Sequence, residues 1–170
     1  MPAHPPGGEP PQPDAGQLAA VAAIEALKAR YFRYLDTRDW TAMYSVFSVD
    51  AVMDMRDELA SLVAAGLPVA GDGLLVGRDV IVAAMASGVA GTVSAHHGHM
   101  PEIQFHGPDR ASGLWAMEDV LLLPRGAPAS CFQACGHYHE TYVREPDRGW
   151  RIAELRLTRL VRLSALISLP

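Results

Sequence analysis

The chain has 170 residues, 49% of them hydrophobic, 19% charged and 7% aromatic, and carries a formal net charge of -5. That length suits one domain, and the low charge and many branched apolar residues exclude a disordered body. The acidic balance argues against a broad basic surface for nucleic acid or anionic membrane, and no run approaches the ~20 apolar residues that a membrane-spanning helix needs. Seven histidines are present, most of them between positions 96 and 139, and their clustering calls for an explanation.

Residues 1–16 open on MPAHPPGGEPPQPD, rich in proline and glycine and without the apolar stretch of a secretory signal. A flexible lead-in is expected there, followed by a domain over 17–163 and a tail over 164–170, with the cytoplasm as the default location. From Gln17 the pattern is helical: Ile24, Leu27, Tyr31, Tyr34 and Leu35 recur at spacings of three and four, with Glu25, Lys28, Arg30 and Arg33 on other faces. This helix should end near Asp36 and Thr37, and Asp39 reads as the N-cap of a second short helix, Trp40 to Phe47. A short strand over Ala51 to Met55, a helical insert over Glu58 to Ala65, a glycine-rich loop and a helix over Arg78 to Ser87 follow.

After Gly91 the period changes to two. Strands are predicted at Thr92 to His99, Glu102 to His106, Ala111 to Leu123, Ala129 to Arg144 and Trp150 to Leu163, separated by turn sequences such as Gly107-Pro108-Asp109. Helices first and long antiparallel strands afterwards make an α+β layout in which a curved sheet wraps the helices. Cys131 and Cys135, four apart on one strand, lie too far apart to bridge directly and are expected to be reduced packing thiols.

Taken in order, ARYFRYLDTRDW, FSVDAVMDM, GRDVIVAAM, TVSAHHGHMPEI, ASGLWAMEDVLLLP and GHYHETYVREPDRGWRIAELRLTRL resemble a SnoaL-like member of the nuclear transport factor 2 superfamily, from about Ile24 to Arg162. Within it the chain is most similar to the group containing bile-acid 7α-dehydratase, with scytalone dehydratase and ketosteroid isomerase as more distant relatives. The resemblance implies a cone made of one bent, mostly antiparallel sheet around three helices, with an internal pocket. It also implies a homodimer or homotrimer. Fold likeness alone does not fix function, because the superfamily includes binders that are not enzymes.

Several side chains stand out chemically. His96 follows small and apolar neighbours on a strand entering a partly buried region, where a neutral imidazole can take a proton near pH 7. His97 faces the other way, so the two are alternatives. The resemblance favours His96, because in these dehydratases a histidine stands five residues before the proline that is Pro101 here. Asp36 is costly to bury unpaired and gains nothing from the dipole at a helix C-terminus, which points to a tertiary partner such as a histidine proton. Tyr31 lies on the apolar stripe of the same helix and its phenol is suited to donate to an enolate oxygen. On an ideal helix it is about 140° from Asp36, and Tyr34 and Tyr44 are the substitutes. Asp119 sits in an apolar strand, where a carboxyl kept in its acid form would serve as general acid. Trp115 and Met117 share its face as pocket wall. Arg159 is suited either to an anionic or carbonyl part of a substrate or to pairing with Asp119 or Glu140.

His137 and His139 share one strand face and invite a metal reading, but an outer polar face is the plainer one. No phosphate loop and no GxSxG elbow is present. The activity that the resemblance implies is that of a dehydratase or isomerase needing no metal or organic cofactor. Its substrate would be a hydrophobic, steroid-like or polycyclic carbonyl compound. His96 would act as base and Asp36 as its orienting group, with Tyr31 at the enolate and Asp119 as acid. Tyr44, His97, Trp115, Met117 and Arg159 would contact substrate. A polyketide cyclase, or a binding module without turnover, is the alternative.

Overall fold

The computed structural model describes residues 14–64, 71–127 and 130–165. The expected lead-in, up to its last residues, and most of the expected tail lie outside them. The first helix, α1 (Ala15–Thr37), starts two residues before the expected boundary. Asp14 caps it, accepting from the Gln17 N–H while the Gln17 side chain accepts from the Asp14 N–H, and this reciprocal pair satisfies two otherwise free donors. A single turn, α2 (Trp40–Met43), follows, capped by Asp39. Next come β1 (Phe47–Asp54), α3 (Arg56–Ala64), β2 (Leu74–Val76) and α4 (Arg78–Gly88). The long strands β3 (Val93–Phe105), β4 (Arg110–Leu122), β5 (Cys131–Glu145) and β6 (Gly149–Ala165) complete the fold.

The six strands form one curled sheet in the order β2-β1-β6-β5-β4-β3, in which only β1 and β6 run parallel. Its inner face packs on α1, whose Ile24, Leu27, Tyr31 and Leu35 are buried. Regular alternation along β4 and β5 puts every second residue into that core.

Four expectations need correction. The two strands predicted at Thr92–His99 and Glu102–His106 are one strand with a bulge between Gly98 and Pro101. β3 is the edge of the sheet, where a proline removes no ladder hydrogen bond. At Gly98 the bulge lets Phe32 approach so closely that an added Cβ would lie 2.6 Å from its ring. β2 lies inside the predicted glycine-rich loop; three residues are too few for a period to show. Phe47, placed at the end of the second helix, instead begins β1, so this strand starts four residues earlier than predicted. Lys28, assigned to a solvent-facing side of α1, is 1% exposed.

Candidate active site

The C-terminus of α1 is stapled to the beginning of β3. Arg38, in the left-handed region with φ 61°, ends the helix. Its guanidinium donates to the Thr92 carbonyl at 2.9 Å and to Ser94 Oγ at 2.9 Å. Ser94 passes the bond on, donating to Asp36 Oδ1 at 2.8 Å. The same carboxylate accepts from the His96 main-chain N–H at 2.9 Å, and its Oδ1 lies 2.6 Å from His96 Nδ1. Asp36 is thus held by a hydroxyl, an amide and an imidazole. Partial burial works against its charge, but the bonds from His96 and Ser94 outweigh that and hold its carboxyl below the usual range. With Nδ1–H engaged by a carboxylate, the lone pair of the neutral ring is on Nε2. The His96 side chain is only 7% exposed.

His96 pairs in register with Asp119 on β4, so the two side chains share the inner face. Asp119 Oδ2 lies 2.7 Å from Arg159 Nη2, while Oδ1 is buried without a hydrogen-bond partner among the described residues. The wholly apolar surroundings expected for a general acid are therefore absent, because Arg159 makes Asp119 half of a buried ion pair. Arg159 also donates from Nε to Glu58 Oε2 of α3 at 2.7 Å and touches Met117 Sδ at 3.4 Å.

Tyr31 projects toward the middle of the sheet, edge-on to Tyr138 of β5 at 5.9 Å between ring centroids. Burial, reinforced by the Glu140 charge, pushes the Tyr31 phenol well up, and burial does the same to Tyr138. Both remain protonated donors across the working pH range. The 140° problem is resolved because Tyr31 and Asp36 reach different strands, Tyr31 the centre and Asp36 the edge. Beneath the tyrosines Lys28 pairs with Glu140, its ammonium 3.6 Å from the Tyr138 ring centroid and 4.2 Å from that of Tyr31. Tyr142 donates to Glu140 Oε2 at 2.5 Å and accepts from Trp115 Nε1 at 2.7 Å. Burial lowers the Lys28 amine despite the adjacent carboxylate.

The structure thus brings Asp36, His96, Asp119 and Arg159 to one face, with Tyr31, Trp115 and Met117 on its walls. It does not bring His97 or Tyr44 there. His97 is on the outer face, 3.7 Å from Glu118. Tyr44 is 37% exposed with Arg78 stacked on its ring. His137 and His139 also face outward, and among the described residues no three metal-ligating side chains gather. An open trough of about 770 Å³, floored by residues such as Leu114, His139, Thr141 and Arg156, crosses the outer face of the sheet and includes none of Asp36, His96, Asp119 and Arg159. Sequence reasoning missed Lys28, Glu58, Tyr138 and Arg162. Lys28 had a signal: it is in helical phase with Ile24, Tyr31 and Leu35. Tyr138 had one too, since it alternates with the outward histidines.

The model of the SnoaL-like domain matches residues 16–156. The chain belongs to this family. Among solved structures it is similar to the hexachlorocyclohexane dehydrochlorinase LinA-type3 from Novosphingobium barchaimii. The identity is 19%, with 93% of this chain and 100% of that one covered and a TM-score of 0.69. A candidate scytalone dehydratase from Novosphingobium aromaticivorans is 18% identical over 90% and 92% of the two chains, with a TM-score of 0.71. A nuclear transport factor 2-like protein from Salmonella enterica serovar Typhimurium is 15% identical over 85% and 93%, with a TM-score of 0.68. Likeness at these identities is a likeness of fold. No curated protein matches the chain. No helix among the described residues is long and apolar enough to cross a membrane.

Proposed function

We propose that this SnoaL-like protein is a lyase or isomerase that works by general acid–base catalysis on a hydrophobic hydroxy-carbonyl compound of steroid-like or polycyclic shape. The observation that carries the reading is the Asp36–His96 pair facing the Asp119–Arg159 pair on one buried face. His96 Nε2 removes a carbon-bound proton acidified by a neighbouring ketone, and Asp36 stabilises the imidazolium that forms. The Tyr31 phenol donates to the enolate oxygen, where a preorganised donor in a dry site has its greatest effect. Asp119, paired with Arg159 through Oδ2, accepts through Oδ1 from the substrate hydroxyl and orients it. The imidazolium returns its proton to that hydroxyl, which leaves as water. In an isomerase the same proton goes to another carbon instead. The dehydrochlorinase and the candidate dehydratase among the structural neighbours support an elimination on this fold.

The test is a turnover screen of 3-oxo-Δ4 hydroxysteroids and hydroxylated polyketides, read as loss of water or shift of the enone absorbance. His96→Ala should lower kcat by roughly 10²–10⁴-fold, and Asp36→Asn should lower it by less, with ligand binding retained in both. Full activity in both variants, or no turnover of any compound by the wild type, overturns the reading. The second outcome favours a binding module.

A further inference from the structure

A second group of unpaired donors gathers where α2 runs into β1, and it shares no residue with the acid–base site. Two elements close on the segment from Tyr44 to Ala51. Arg78, the first residue of α4, donates from Nη1 to the Tyr44 carbonyl at 3.3 Å, and its guanidinium lies 5.7 Å from the Tyr44 ring centroid. The Gly77 N–H just before it donates to the Ala51 carbonyl at 2.8 Å. From β6, the Ile152 N–H donates to the Val46 carbonyl at 3.0 Å, which brings Arg151 alongside the same segment. Arg151 Nη1 donates to the Trp150 carbonyl at 2.7 Å. Among the described residues five buried side-chain polar atoms have no hydrogen-bond partner, and three of them are here: Ser48 Oγ, Arg78 Nε and Arg151 Nε. Each forfeits hydrogen bonds that it made in water.

Positive charge predominates around these donors. Burial lowers the Arg151 guanidinium, and the charges of Arg148, Arg30 and Arg78 lower it further against the pull of Glu145. Glu145 is paired with Arg148 at 2.8 Å, and Asp79, 84% exposed, comes no nearer than 3.9 Å to Arg78 Nε. Arg30 and Arg151 have no carboxylate of their own among the described residues. α4 begins after Gly77, φ 92°, without a side-chain cap, so the positive end of its dipole adds to the cluster. In a chain of net charge -5, cations with free donors gathered in this way have the chemistry of an oxyanion site. Guanidinium groups arriving from α1, from the start of α4 and from β6 suit a tetrahedral anion, whose oxygens point in several directions, better than a planar carboxylate. We propose that Arg78 and Arg151, with Arg30 and Arg148 at the rim, bind a phosphoryl dianion, free or as the head of a phosphomonoester, at the junction of α2 and β1.

The test is calorimetric titration of the full chain with inorganic phosphate and with phenyl phosphate, at pH ~8, where the phosphoryl group is largely dianionic, and at constant ionic strength. Arg151→Met and Arg78→Met should each weaken phosphate by about tenfold or more, the loss expected of a charge-assisted hydrogen bond. Arg151→Lys, which keeps the charge but loses the fork, should show part of that loss. Arg30→Gln, on a half-buried side of α1, should weaken binding by about threefold, and these two variants carry the test if the methionine variants do not fold. His96→Ala should bind phosphate as the wild type does. Equal or weaker binding of phenyl phosphate assigns the seat to free phosphate, and tighter binding assigns it to a monoester lying beside the exposed Tyr44 ring. No saturable binding of either compound overturns the proposal, as does an affinity for phosphate that is the same in Arg151→Lys and Arg30→Gln as in the wild type.

Discussion

Asp36 shows how one side chain turns a helix end into half of a catalytic pair. A carboxylate at a helix C-terminus is opposed by the dipole, so its place is held by the three donors from Ser94 and His96. Those bonds tie its protonation to stability. Because the folded carboxyl titrates below the unfolded one, its contribution is full above the unfolded value, about 3.9. It is lost as pH falls through the folded value. Thermal melts of the wild type and Asp36→Asn should therefore differ most above pH ~5 and converge as pH drops below ~4. A difference that grows on acidification would contradict the bonding described. Strand alternation made His96 and His97 alternatives at this scale, because only one of two adjacent side chains faces inward, and it was the resemblance to the dehydratases that favoured His96. Arg159 beside Asp119 was left open, since the sequence does not say which strands are neighbours.

At the scale of elements, the bulges rather than the regular strands aim the polar groups. At Gly136 of β5 the backbone of β6 is so near that an added Cβ would lie 2.0 Å from the Thr158 carbonyl oxygen. That neighbour is backbone and cannot step aside. Gly136→Ala is expected to cost about 3 kcal/mol or more, measured by urea unfolding, and to disturb the inward aim of Arg159. At Gly98 the obstruction is the ring of Phe32, a side chain able to tilt. Gly98→Ala should accordingly be milder, about 1–2 kcal/mol. A ranking opposite to this would mean that the bulge does not govern the site. The period-two pattern after Gly91 located the long strands in the sequence but split β3 in two at its bulge, and the one-residue phase shift in β6 left no pattern of its own. Arg162 was accordingly not singled out from the sequence.

Across the whole molecule, one buried ion pair joins helix to sheet. Lys28 is the chain's only lysine, and it reaches Glu140 inside a cage of Tyr31, Phe32 and Tyr138. Removing one partner strands a charge in a dry interior. Lys28→Met should lower stability by about 3–5 kcal/mol, and the double variant Lys28→Met/Glu140→Leu should recover much of it, both measured by denaturant unfolding. A single variant that loses nothing would show that the pair is not formed in solution. This pair and the aromatic cage occupy the interior between α1 and the centre of the sheet.

The amino-acid sequence by itself determined the long elements, their faces and the family, because helical and strand periodicities are local and survive any rearrangement of neighbours. It also marked Asp36 as a carboxylate in need of a partner, and placed His96 on a strand bordering the interior. Only the tertiary structure decided that Asp119 belongs to Arg159, that Lys28 is interior and that Arg162 turns inward beside Glu58. Those facts depend on strand order, on a one-residue bulge and on contacts between residues about a hundred positions apart. Such contacts are set by how the sheet closes on α1, and no window of the sequence contains both partners.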